Sequence, residues 1–360
     1  PEAGRVLTCQ TVRLAMMKQS KLHYFVTTAF LAAAFGCQAD DSSPMGPELA
    51  ADAVDTPELA AAATGYVARK DMPSGTRTSV ATAAVTQNGT SVLYVIGGEN
   101  TGHHALGRVQ AYHVATNSWT WHPDLPVPLT RTNGAVTINT KIYVSGGTTG
   151  DHGEQQTLFM FDPATNRWTR KRDMPQPTTE GMSSVSKNKL YVVTSCNGEE
   201  CIPPDDRPLF YRYDPVTDTW TELPPPPNVH TRGAAGFIGG KLYVTGGIGM
   251  GNPKQVDVYD PRTSQWSSES PFGSGRFSMA GLAYNAKLYL IGGYRLNSDG
   301  TATAVRATNI YDPATKRWTT GAPLPTARVD ISASRVVLNG QSRIEVVGGP
   351  APGNNLSYQP

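Results

Sequence analysis

YDPVTDTW (213–220) is one of five versions of a single phrase: HVATNSW (113–119), FDPATNRW (161–168), YDPRTSQW (259–266) and YDPATKRW (311–318) fall into register with it. Successive tryptophans lie 49, 52, 46 and 52 residues apart. A fixed period of that length marks stacked supersecondary units, none of which can bury its apolar face alone. Ahead of each phrase runs an apolar strand ending in paired glycine: LYVIGG (93–98), IYVSGG (142–147), LYVTGG (242–247) and LYLIGG (288–293), with a sixth, IEVVGG (344–349), near the C-terminus. The copy LYVVTSC (190–196) keeps the strand and drops the glycines, placing Ser195-Cys196 where they stood. Each unit reads as a four-stranded sheet. The glycine pair ends the second strand where a Cβ does not fit or φ must be positive. Asp-Pro-x-Thr makes an Asx-type turn between the third and fourth strands. The tryptophan then presents a large apolar surface to the neighbouring unit.

The two ends of the repeat region complete one another. The last copy stops at Leu356-Ser357-Tyr358-Gln359-Pro360, where Tyr-Gln-Pro matches Tyr-Asp-Pro, so it owns three strands and lacks a fourth. GYVARKDMP (65–73) matches NRWTRKRDMP (166–175), a fourth strand without its first three. An N-terminal strand that finishes the last sheet closes a ring and removes its open edges. The paired glycines, the Tyr/Phe-Asp-Pro turn and the tryptophan, in that order and at that period, resemble the Kelch repeat, and the resemblance covers residues 66–360. It implies an all-β fold, a six-bladed Kelch β-propeller with its last blade closed by the N-terminal strand.

Gly and Pro together make 64 of 360 residues, about 18% against a usual ~12%, while only 17% are charged. That composition is too apolar for disorder and too rich in turn formers for a helical protein. Before the repeats, Met16-Met17 precedes Lys18 and Lys21 and an apolar run from Tyr24 to Phe35, the pattern of an export signal and not of a membrane span. Residues 1–16 read as translated upstream sequence. Residues 17–37 read as the signal, ending in Ala34-Phe35-Gly36-Cys37, which resembles a bacterial lipoprotein signal with Cys37 as the lipidated residue; ordinary cleavage near Ala39 is the alternative. Residues 38–65, rich in Ala, Asp, Pro and Ser, bury too little apolar area to offset their ordering entropy and read as a tether. The sequence therefore predicts an exported protein, periplasmic or anchored to a bacterial envelope membrane only through Cys37, and monomeric. The formal charge of +2 becomes −1 once residues 1–37 are removed, and no Lys/Arg cluster suits nucleic acid.

Candidate chemistry gathers where the innermost strands begin, facing the channel. That position reads Arg77, Arg131, Glu180, Arg232, Arg276 and Arg328, joined by Glu99, Asn100, His103, His104, His152, Asn252, Tyr294 and Arg295 from the loops after the glycine pairs. Each arginine admits two readings: a bond to carbonyls of the fold, or a free guanidinium for a planar anion. Glu180 is either a salt-bridge partner or a proton-transfer residue. Exported sialic acid mutarotases are six-bladed Kelch propellers of similar length, and that resemblance implies arginines on the sugar carboxylate with Glu180 as the catalytic acid–base. The expected ligand is an anionic small molecule, glycan or peptide. No cofactor and no metal are expected, because His103-His104 with His152 lack accompanying ligand spacing. Cys196 and Cys201 (CNGEEC) are predicted to form a disulfide in an oxidising compartment. With the acidic insert NGEECIPPDDRP (197–208), they make the third unit the specialised one.

Overall fold

The apolar strands ahead of the glycine pairs are covered on both faces: Leu93, Val95 and Ile96 are wholly buried, as are Leu190, Val192 and Val193. Such continuous apolar runs suit a sheet that neighbours pack from both sides. The computed structural model describes residues 65–150, 153–195, 207–249, 254–269, 271–273, 275–350 and 355–360. Contacts divide the chain into two units, residues 1–62 with 298–300, and residues 63–297 with 301–360. All the sheets below belong to the second, and of the first only a turn at Ser298–Gly300 is described.

Among the described residues there are six four-stranded antiparallel sheets. The first takes Ala81–Gln87, Thr90–Ile96, Val109–His113 and Ser118–His122 in spatial order. Its successors lie within residues 135–170, 182–222, 234–269 and 280–321. The sixth joins Ile331–Leu338, Gln341–Gly348 and Asn355–Gln359 to the N-terminal strand Gly65–Ala68. Gly65 pairs with Gln359 and Ala68 with Leu356. The innermost strands touch in a cycle, from Ala81–Gln87 through Ala135–Ile138, Met182–Ser186, Ala234–Ile238, Ala280–Tyr284 and Ile331–Leu338 back to the first. The sheets are therefore the blades of a β-propeller, numbered here in that order, and the channel runs between their inner strands.

The repeated phrase holds neighbouring blades together. Each tryptophan packs against the aromatic residue opposite it in the third strand, with ring centroids 5.0 Å apart for Phe161 and Trp168 and 5.2 Å for Tyr259 and Trp266. Four indole N–H groups donate to the exit of the preceding blade: Trp119 to Lys70 O, Trp168 to Pro123 O, Trp220 to Arg172 O and Trp266 to Pro224 O. The turn aspartates accept backbone N–H bonds two residues on, as Asp162 does from Ala164 and Asp312 from Ala314. They also pair with a lysine that opens the second strand of the same blade, Lys141 with Asp162 and Lys287 with Asp312.

Blade 3 differs by one residue from the sequence reading. Leu190 pairs with Tyr213 as Leu93 does with Tyr112, so Thr194 and Ser195 stand where the other blades carry their glycines. There is room for a side chain because Gly181 is opposite: a Cβ there would come within 2.7 Å of Thr194 Cβ. Ser195 Oγ meets Thr231 Oγ1 at 2.6 Å. In blade 5 a further hairpin, Tyr294–Leu296 with Ala302–Ala304, pairs with Arg276–Phe277.

Candidate functional site

Six residues with positive φ encircle the channel, one at the head of each inner strand: Ser79 (54°), Arg131 (51°), Glu180 (57°), Arg232 (61°), Ser278 (54°) and Asp330 (51°). Five hydrogen bonds link them around the ring, each N–H donating to the carbonyl of the preceding blade: Glu180 to Arg131, Arg232 to Glu180, Ser278 to Arg232, Asp330 to Ser278 and Ser79 to Asp330. Left-handed backbone at non-glycine residues is uncommon and is held only where surrounding contacts fix it. Here the neighbouring blades do so. The ring borders a cavity of about 620 Å³ lined by the first residues of all six inner strands.

Arg131, Glu180 and Arg232 therefore come together as the sequence places them. Arg77, Arg276 and Arg328 do not, because in blades 1, 5 and 6 the ring residue comes two positions later. All three are buried and turned into the blades. Arg77 Nη1 donates to Gly97 O and Arg108 O and its Nη2 to Gln110 Oε1; Arg276 donates to Ala307 O, Leu290 O and Asn309 Oδ1; Arg328 donates to Gly348 O. These residues bear on the channel only through the fold.

The mouth is an alternating charge network. Arg232 is hydrogen-bonded to Glu180, and Arg131 Nε lies 3.7 Å from both Glu180 Oε1 and Glu99 Oε2. Glu99 is buried and also takes hydrogen bonds from Thr78 and Thr130, with His103 Nδ1 at 3.4 Å. Burial disfavours the Arg232 charge, but Glu180, Asp330 and Glu99 outweigh it and hold the guanidinium above its usual range. Burial pushes the Asp330 carboxyl up, against the opposing pull of Arg232 and the Ser278 hydroxyl, while Glu180 and Glu99 add repulsion. Burial likewise pushes the Tyr294 hydroxyl up, helped by Asp330. Two guanidiniums face three carboxylates, so the mouth is not the ring of five arginines and one glutamate that the sequence suggests.

One buried pair escaped sequence reasoning. His230 stands in blade 4 where Arg77 stands in blade 1, with no side-chain exposure; its Nδ1 is 2.8 Å from Gly246 O and its Nε2 3.0 Å from Asp257 Oδ2. Burial alone would raise Asp257, but bonds from His230, Asn228 and Ser268 hold it below the usual carboxylate range. The available signal was an aspartate inside the apolar strand VDVYD (256–260), where Gln110 and Asn309 stand in sister strands. Cys37, Cys196, Cys201, His152 and Asn252 lie outside the described residues. Among the described residues no three His, Cys, Asp or Glu side chains gather closely enough to hold a metal ion, and no helix is long and apolar enough to cross a membrane.

A propeller with a polar, ion-paired channel mouth is the class that this geometry defines. The repeats give it a family. A KLHDC2/KLHL20/DRC7 Kelch-repeats domain model matches residues 63–232, and Kelch motif models match residues 231–273 and 275–325. The chain is a Kelch-repeat β-propeller. It is similar to Kelch-like protein 15 of Danio rerio, 34% identical over 32% of this chain and 22% of that protein, and to Kelch-like protein 35 of Mus musculus, 30% identical over 32% and 18%. The match thus spans about a fifth of the length of these curated relatives. A solved structure, titled "Structure of YjhT", superposes with a TM-score of 0.64 at 16% identity, covering 80% of this chain and 95% of that one, a likeness of fold.

Proposed function

We propose that this chain is an exported, monomeric Kelch-repeat binding protein that uses the channel mouth to hold the anionic group of a peptide or glycan. The observation that carries the reading is Arg131. Its side chain is 39% exposed at the edge of the 620 Å³ cavity, and its ion pairs, at 3.7 Å, leave its N–H groups without hydrogen bonds among the described residues. An incoming carboxylate can take two parallel bonds from such a guanidinium, the geometry that makes arginine selective for planar anions. Arg232 then adds positive potential from two blades further on, across Glu180. Export through the leader of residues 17–37, with Cys37 as an anchor, belongs to the same proposal and rests on the sequence pattern alone.

A second reading is an epimerase or mutarotase of an acidic sugar such as sialic acid. It is favoured by Glu180, which borders the cavity between the two arginines, within reach of a sugar whose carboxylate Arg131 holds. Both readings are tested by titrating the protein with sialic acid, glucuronic acid and an acidic peptide, followed by thermal shift. Arg131→Ala is expected to weaken binding by about 1.5–3 kcal/mol, the loss of a charged hydrogen-bonded pair. Saturable binding unaffected by Arg131→Ala sinks the proposed site. Faster anomer exchange by NMR, abolished in Glu180→Gln, selects the enzyme; binding without exchange selects the binding protein.

A further inference from the structure

The three buried arginines of blades 1, 5 and 6 are not equivalent in charge. Arg77 has Asp124 and Arg328 has Asp71 within coulombic reach, each an aspartate at the exit of its own blade. These exits read Pro123-Asp124-Leu125, Lys70-Asp71-Met72 and, in blade 5, Ala322-Pro323-Leu324. The alignment is structural: Leu125 N donates to Gly107 O, and Leu324 N to Arg306 O, at the same place in each blade. Blade 5 thus has a proline where its sisters carry the counter-ion.

Arg276 is 1% exposed, and its hydrogen bonds go only to the neutral acceptors Ala307 O, Leu290 O and Asn309 Oδ1. Directly across the pairing from it stands another arginine, Arg295, which is exposed. Like charges opposite one another on paired strands repel. Among the described residues no carboxylate forms an ion pair with either one. Both line a cavity of about 360 Å³, apart from the channel, with Phe272 and Trp318 in its walls and Asn309 beside them. Arg276 Nε is buried without a hydrogen-bond partner. The same is true of Arg77 Nε, but that side chain does not border this cavity. The Arg276 guanidinium also sits 5.4 Å from the centroid of the Phe272 ring.

We infer that this cavity of blade 5 is a second binding site, taking the carboxylate of a small aromatic acid or of a peptide C-terminus ending in an aromatic residue, which bridges Arg276 and Arg295 while its ring lies against Phe272 and Trp318. A buried cation without a partner is costly. A bound carboxylate supplies the negative charge that Asp124 and Asp71 supply in blades 1 and 6. Burial pushes the Arg276 guanidinium down to about 10, which leaves it charged at neutral pH and in need of that partner. This site is independent of the channel mouth.

The test is titration of the full chain with benzoate, for a free acid, and with acetyl-glycyl-phenylalanine, for a peptide C-terminus, read by tryptophan fluorescence and calorimetry at constant ionic strength. Saturable binding of one or both is expected, with the stronger probe identifying the source. Arg295→Gln, at an exposed position, should weaken it about tenfold, as expected for a lost charged bond. Pro323→Asp restores the internal counter-ion; it should raise the melting temperature of the free protein and weaken binding about tenfold or more. Arg131→Ala should leave this binding unchanged, so failure here and failure at the channel mouth are distinguishable. No saturation of either probe up to about 10 mM, or binding indifferent to both Arg295→Gln and Pro323→Asp, overturns the inference.

Discussion

Asp330 shows how a single residue on the ring carries both shape and charge. Its positive φ and its N–H bond to Ser278 O fix it in the circle, while burial raises its carboxyl above the ordinary 3.8. A raised folded-state value means that ionisation is harder in the folded chain than in the unfolded one. The associated stability is full below about pH 4 and is lost as pH rises through the folded value. Asp330→Asn removes that dependence. Urea unfolding should therefore give the variant a higher midpoint than the parent at pH 7 and an equal one near pH 3; a lower midpoint at pH 7 would mean that the pull of Arg232 dominates. Neither this residue nor Ser79 and Ser278 was legible as a ring member. A positive φ turns a side chain to a new direction, and nothing in RTSVA (77–81) or RVDIS (328–332) says which residue adopts it.

At the scale of the element, the glycine pair is the joint of each blade. Gly98 has φ +90°, and a Cβ there would lie 2.6 Å from Thr78 O and 2.6 Å from Val80 Cγ1. Both the left-handed backbone and the contact with a carbonyl argue against any side chain. Gly98→Ala should cost about 2–4 kcal/mol in chemical denaturation, the sum of backbone strain and overpacking. Gly273→Ala, with nothing within 4 Å of its Cβ, should stay within about 0.5 kcal/mol. Equal effects in the two variants would remove the steric account. The glycine pattern was readable because it recurs at the same place in five of the six repeats. Its exception in blade 3 was legible as a loss of the glycines but one residue out of place, and what makes room for Thr194 was not legible, because that is Gly181, just ahead of the inner strand Met182–Ser186.

For the whole molecule, closure rests on the strand Gly65–Ala68. Tyr66 stacks on Tyr358 at 4.5 Å between centroids, and its hydroxyl meets Thr308 Oγ1 at 2.8 Å, so the strand binds its own blade and the one before it. A chain beginning at residue 70 loses these contacts and leaves Asn355–Gln359 as an open edge. It should be less stable by about 3–5 kcal/mol and self-associate in light scattering. A chain beginning at residue 64 should behave as the full chain does, and a stable monomer from residue 70 would contradict closure by this strand. The sequence by itself determined the propeller. Its strands, turns, tryptophans and complementary ends are set by local hydrogen bonding and apolar patterning, and these repeat along the chain. Only the tertiary structure decided which charges face the channel. Arg131, Glu180 and Arg232 meet Glu99 and Asp330 there, while Arg77, Arg276 and Arg328 turn into their blades, because the ring is held by bonds between neighbouring blades that are distant in sequence, and the residue that takes the positive φ ahead of each inner strand decides which side chain faces the channel.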